Sequence, residues 1–235
     1  MSPHRRPAEE AGNLRVICYT IFTMIITYHG VDFFKVSFGD TTIAVNPLSK
    51  DSKFKSTKFG SDITLVSVKN SPEHNGVDVT SRGDKASFVI DGPGEYEVSG
   101  VFIKGFISKS KYGGEDKINT IYTVALEGMN LGFLGALSEK DLSAEAKEAL
   151  DGIDILFVPI GGGGVLDASP AHKLAVQFEP KLIIPSHFGE IGDKNALKTF
   201  LKEAGEEGVK PVDKLTIKRK DVETMEGDVI VLEAI

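Results

Sequence analysis

Ile63-Thr64-Leu65-Val66-Ser67-Val68, continued by Lys69-Asn70-Ser71-Pro72-Glu73-His74, is the stretch on which the reading of this chain turns. The first six residues form an almost unbroken apolar and β-branched run, the pattern of a strand covered on both faces. A polar loop follows and closes on an acid and an imidazole, Glu73-His74. Lys181-Leu182-Ile183-Ile184-Pro185 repeats the arrangement and runs into Ser186-His187-Phe188. The ends of core strands converge on one side of a layered α/β fold. His74 and His187 are therefore read as a pair.

Working outward, short β segments precede this stretch at Ile25–Tyr28, Phe33–Phe38 and Thr42–Val45, punctuated by Gly30 and Gly39-Asp40. After it come Ser87–Ile90, a turn over Asp91–Glu97, and strands at Val101–Ile107, Asn119–Leu126 and Asn130–Leu134. The second half alternates. Ser143–Leu150 is a strong helix former with Ser143 as N-cap, Ile153–Ile160 is a buried strand, and helices are expected near Ser169–Phe178 and Asn195–Ala204. Strands around Lys214–Lys218 and Asp228–Leu232 close the pattern. Two β-rich sheets with helices packed outside imply a layered α/β fold, a four-layer αββα sandwich, in one domain over 24–235.

Composition narrows the chemistry. The chain has 235 residues and a formal charge of -7, which disfavours general binding to nucleic acid or to an anionic membrane while leaving room for a local basic pocket. One cysteine excludes an internal disulfide and any multi-cysteine metal site. With five histidines, a metal centre has to come from imidazoles and carboxylates. Residues 1–23 differ from the rest and are expected to lie outside the fold as an extension, with Met24 as the functional start. The apolar run Val16–Ile26 is shorter than the roughly 20 residues a bilayer span needs and lacks a signal-peptide cleavage pattern. The chain is read as cytoplasmic.

The remaining candidates have plain readings. Gly161–Gly164 lacks the spacing of a phosphate loop and is expected to be a flexible or a tightly approached turn. Cys18 and His4 lie in or near the extension, and His172 is expected on a solvated helix face. His29 follows a strand, and Asp32 is its neighbour in sequence only.

The residues Ile26–Gly30, Ile43-Ala44-Val45-Asn46-Pro47, Gly92-Pro93-Gly94-Glu95-Tyr96-Glu97, Leu134-Gly135, Asp154–Gly162 and Ile183–Phe188 together resemble the metallo-β-lactamase fold. Within it they resemble the ascorbate-6-phosphate-lactonase-like branch of Zn-dependent hydrolases, over essentially Met24 to Leu232. The resemblance implies a His-x-His-x-Asp-His metal motif after the Ile63–Ser67 strand. One register places Val68, Asn70, Pro72 and Glu73 at its four ligand positions, and another places Lys69, Ser71, Glu73 and His74 there. Either way the first two histidines are missing. A further family histidine is replaced within Ser108-Lys109-Ser110-Lys111, and the bridging aspartate by Ala136. Valine and alanine have no lone pair for a metal, and serine is a poor zinc ligand. Lys69 or Lys109 would instead bring an ammonium to the place of the dication.

The expectation is a metal-free, non-hydrolytic member, a pseudoenzyme that binds or assembles and needs no cofactor. The alternative is a Zn-dependent hydrolase of ester, lactone or phosphodiester bonds with one residual zinc on Glu73, His74 and His187, since two imidazoles and a carboxylate make a known catalytic set. Metal-independent catalysis with either histidine as base lacks a neighbouring nucleophile. The expected partner is a small molecule or a protein, with no nucleic acid and no membrane. The oligomeric state stays open.

Overall fold

The computed structural model describes residues 23–235, so residues 1–22 of the expected extension, with His4 and Cys18, lie outside the described residues. The strands are β1 (Met24–Tyr28), β2 (Phe34–Phe38), β3 (Thr41–Val45), β4 (Ile63–Leu65), β5 (Phe88–Ile90), β6 (Gly94–Val98), β7 (Val101–Ser110), β8 (Lys117–Leu126), β9 (Met129–Phe133), β10 (Ile155–Pro159), β11 (Leu182–Ser186), β12 (Leu215–Ile217) and β13 (Asp228–Val229). The helices are α1 (Ala144–Leu150), α2 (Ala168–Ala175), α3 (Ala196–Ala204) and α4 (Arg219–Val222).

The strands form two sheets, one of six in the order β12-β1-β2-β3-β4-β5 and one of seven in the order β13-β11-β10-β9-β8-β7-β6. Alternation puts Met24, Ile26, Tyr28, Phe34 and Val36 of the first sheet against Tyr122, Val124, Phe133 and Phe157 of the second, all almost fully buried. Burying one such aromatic or aliphatic side chain contributes about 1.5–3 kcal/mol, so this interlayer core is the main source of stability. A second core lies on the other side of the seven-stranded sheet, where Leu150, Ala171 and Phe200 of α1, α2 and α3 meet Ile121, Leu156 and Ile183. The outer face of the six-stranded sheet carries instead a strap from Leu48 to Gly60, whose Phe54 and Phe59 pack over Phe33 and Ala44. The layered α/β sandwich read from the sequence is thus the architecture found.

Several boundaries differ, for local reasons. Strand β4 stops at Leu65 because the Ser67 amide turns to the Asn46 side chain, 2.7 Å away, rather than to a ladder. The Gly-Pro-Gly turn is followed by an edge strand, β6, because Gly94 to Val98 find partners in β7. Strand β7 runs to Ser110, past the expected end at Ile107, in a ten-residue antiparallel ribbon with β8. The Ser169–Phe178 helix is α2 plus a 3₁₀ turn at Val176–Phe178. No helix among the described residues is long and apolar enough to cross a membrane.

Candidate functional site

The loop ends of β1, β4, β7 and β11 meet at one edge of the sandwich. After β4 the chain turns at Ser71–Asn75, where the His74 and Asn75 amides both donate to the Ser71 carbonyl at 3.0 and 2.9 Å. That turn carries the His74 ring inward, fully buried. His187 follows β11 in the left-handed region, φ 59°. Its amide donates to the Val31 carbonyl at 2.6 Å, and Val31 is itself left-handed at φ 56°. A β-branched residue rarely adopts this conformation, so packing from several elements holds the turn in place. The glycine run makes that packing possible. A Cβ on Gly161 would fall inside the van der Waals shell of the His187 carbonyl oxygen, and one on Gly164 would lie 2.7 Å from the Tyr112 Cα. Of the two turns expected at Gly161–Gly164, flexible or tightly approached, the tight one is found, and it brings the His187 and Tyr112 loops together.

His74 and His187 stack with ring centroids 5.6 Å apart and planes at 19°. Tyr112, from the β7–β8 turn, stands edge-on to both at 5.1 and 5.2 Å. The Ser71 hydroxyl donates to the Glu73 carboxylate at 3.1 Å. Having one proton to give, it accepts from His74 Nδ1–H, 2.9 Å away. His74 Nε2 is then left with its lone pair, buried and unpartnered, as are both ring nitrogens of His187. Burial holds both imidazoles neutral: His187 is pulled down to about 3, and His74 well below its ordinary value, with His187 and Lys117 adding to the effect. Burial, with the Glu73 charge second, also raises the Tyr112 phenol.

Neither register of the loop is met in full: Val68 of the one is buried beside the pair, and Ser71 and His74 of the other are buried with it. Ser71 and His74 point inward and Lys69 points out, where it pairs with Asp91 at 2.6 Å. Lys109 likewise pairs with Glu139 at 3.4 Å, so neither lysine sets an ammonium beside the histidines. Around the pair the walls are apolar. Val68, Ala136, Val165 and Tyr112 are buried together, with Ile191 packed on them. Glu73 joins His74 through Ser71, and among the described residues no group of three or more His, Cys, Asp or Glu is gathered so as to hold a metal ion. A catalytic zinc takes three protein ligands and leaves a fourth position open. Two stacked imidazoles walled by valine, alanine and tyrosine do not make up that set.

Beneath the pair lies a buried polar chain that sequence reading missed. The Asn46 amide donates to Asp32 at 2.6 Å and its oxygen accepts the Ser67 amide at 2.7 Å. Burial pushes the Asp32 carboxyl up to about 7, against the lowering effect of Ser186 and Asn46 beside it. Asp32 thus does not serve His29. That ring sits between Phe33 and Phe59, with Nε2 3.2 Å from the Thr27 hydroxyl, and burial pulls it down to about 4. His172, expected in solvent, is half-buried and edge-on to Phe200 at 5.6 Å. Tyr112 gave one sequence signal, an aromatic just before the turn glycines Gly113-Gly114.

A family model described as a beta-lactamase superfamily domain matches residues 25–187. Among solved structures, the chain is similar to a protein assigned to the Zn-dependent hydrolases of the metallo-β-lactamase superfamily from Thermotoga maritima, at 24% identity and a TM-score of 0.68 over 89% of this chain and 98% of that one. It is also similar to a protein assigned as a metal-dependent hydrolase from Parabacteroides distasonis (19%, TM-score 0.62, 90% and 94%). A third is the metallo hydrolase Igni18 from Ignicoccus hospitalis (19%, TM-score 0.58, 83% and 99%). At these identities the structural likeness speaks for the fold alone.

Proposed function

The chain belongs to the β-lactamase superfamily, with the metallo-β-lactamase fold, and on that premise we propose that it is a metal-free, non-hydrolytic member, a cytoplasmic protein that uses the scaffold to bind a small molecule or another protein. The observation that carries this reading is the apolar wall of Val68, Tyr112, Ala136 and Val165 packed around the His74–His187 pair. A hydrolytic metal centre needs donors and an open position for water. Here Val68, Ala136 and Val165 have no lone pair for a cation, and burial keeps the Tyr112 phenol protonated.

The unpartnered nitrogens of the pair favour a second reading, one zinc on His74, His187 and a Glu73 released from Ser71, in a hydrolase of ester, lactone or phosphodiester bonds. Elemental analysis after expression in zinc-supplemented medium separates the two. The expected result is well below one zinc per chain and no turnover of lactone, phosphodiester or β-lactam substrates. One equivalent of zinc, lost in His187→Ala, would establish the hydrolase instead.

A further inference from the structure

On the outer side of the seven-stranded sheet α2 packs beside β10 and α1 beside β8, which leaves β6 and β7 bare beyond the flank of α1. On that bare face Phe102 is 56% exposed, opposite Glu97 in one ladder and Ala125 in the other. Between these strands and α1 runs a cleft of about 840 Å³. Its floor is apolar, made by Phe102, Phe106, Ala125, Ala149 and Ile153. None of its lining residues belongs to the histidine site. An exposed apolar patch with a polar rim is the usual form of an interaction surface.

The rim carries one sign of charge. Of the ionisable side chains that line the cleft, four are acids, Glu95, Glu145, Glu148 and Asp151, and one is a base, Lys104. Lys104 is taken up by Glu95, 2.9 Å away. Glu145, Glu148 and Asp151 have no ion-pair partner among the described residues. Glu145 and Glu148 lie three residues apart on α1 and share with Ala149 the flank that faces the cleft, whereas Lys147 does not line it. Glu148 and Asp151 also stand at the C-terminal end of α1, where the helix carbonyls favour a cation over an anion. Helix stability therefore does not account for these two acids. A cation placed between them would suit the carboxylates and the helix end together.

We propose that this cleft is a docking surface for another protein, and that the partner presents a basic amphipathic helix: aromatic or aliphatic side chains laid on Phe102 and Ala125, with lysines or arginines turned to Glu145, Glu148 and Asp151. The inference rests on the reading of the domain as a binding protein and names the class of its partner. A helix suits the space, because it would carry the layer formed by α1, α2 and α3 across the two uncovered strands. Three unpaired acids against one paired lysine supply the charge complementarity, and the exposed phenylalanine supplies the anchor. A small organic cation would stay open to water on so exposed a floor, whereas a helix covers it along its length.

The test uses three synthetic peptides of about 14 residues, roughly four turns of helix, titrated calorimetrically into the full chain at neutral pH. One is built of leucine and lysine in an amphipathic helical pattern. The second has glutamate for every lysine, and the third scrambles the first so that the charge is kept and the apolar face is lost. The amphipathic basic peptide is expected to bind about tenfold tighter than either of the others, with an affinity that falls as salt rises. Phe102→Ala is expected to weaken it about five- to tenfold. The double variant Glu148→Lys/Asp151→Lys is expected to weaken it about tenfold and to gain binding of the acidic peptide. Glu207→Lys, which shifts the net charge in the same sense at an exposed turn after α3, is expected to leave it unchanged. Thermal melts confirm that each variant folds. An unchanged affinity in Phe102→Ala or in the double variant would overturn the proposal, as would equal binding of the scrambled peptide. Two other occupants would overturn it as well: benzylammonium that binds as tightly as the peptide and displaces it, or a dimer in sedimentation that Phe102→Ala dissociates. Zinc content measured on the same samples keeps the two readings apart. A zinc-loaded protein with Phe102-dependent peptide binding sinks the metal-free reading alone, and a zinc-free protein that ignores the peptide sinks the cleft alone.

Discussion

Gly161 decides whether the histidine pair can exist. Its own backbone is not left-handed, so replacing it tests space and nothing else. Gly161→Ala sets a methyl against the His187 carbonyl, which is held from the other side by the Val31 contact of the adjacent amide. The His187 loop cannot retreat without breaking that contact, and overpacking of this kind costs about 1–3 kcal/mol. The variant is expected to melt several degrees below the parent in a thermal scan, with the loss at the upper end of that range. A parent-like melt would mean that the His187 turn is loose. Gly163, by contrast, has open space around its Cβ position, so two neighbouring glycines with the same appearance in the sequence do different physical work.

Secondary elements show what a single sequence reveals and what it conceals. The α1 start was legible because capping is local. Ser143 is extended and its hydroxyl accepts the Ala146 amide at 3.2 Å, the arrangement expected from a serine ahead of the helix formers Ala144-Glu145-Ala146-Lys147. Ser143→Ala is expected to cost about 1 kcal/mol, measured by urea unfolding. An unchanged midpoint would show that packing of Leu150 holds the helix unaided. The end of β4 and the strand at β6 were not legible, because each depends on a remote partner, Asn46 in one case and Gly105 to Val101 in the other. The site divides the same way. His74 and His187 could be paired from strand ends alone. Their apolar wall draws Val68, Tyr112, Ala136 and Val165 from four separate loops, which no local pattern connects. Nor did Asp32, Asn46 and Ser67 announce themselves as a chain, since the contacts between them span 14 and 21 residues.

At the scale of the molecule, these buried groups set the response to pH jointly. An imidazole held neutral in the folded state, as His29 and His187 are at about 4 and 3, stabilises the fold above its unfolded value near 6.5 and loses that contribution as pH falls toward the folded value. From pH 6.5 to 5.0 each such group costs about 1.6 kcal/mol, and His74 moves in the same direction. Asp32, raised to about 7, works the other way. It binds its proton more tightly when folded, so between about 4 and 7 it adds stability on acidification, offsetting roughly 2 kcal/mol over the same interval. Two or more imidazoles outweigh one carboxyl. The free energy of unfolding in urea is expected to fall by about 1–3 kcal/mol between pH 6.5 and 5.0, and Asp32→Asn is expected to steepen that loss. A flat profile in both proteins would contradict the buried, neutral state of the histidines.

The order of strands carries a further consequence, for the chain as it is made. Strand β1 forms one side of its ladder with β2 at once, but its other edge waits for β12, where Met24 meets Ile217 almost a whole domain later. At about 5–20 residues per second, a ribosome takes roughly 10–40 s to deliver that partner. Throughout that interval the nascent chain presents an unpaired strand edge beside unsheltered apolar side chains. The first sheet is among the earliest parts synthesised and among the last to be completed.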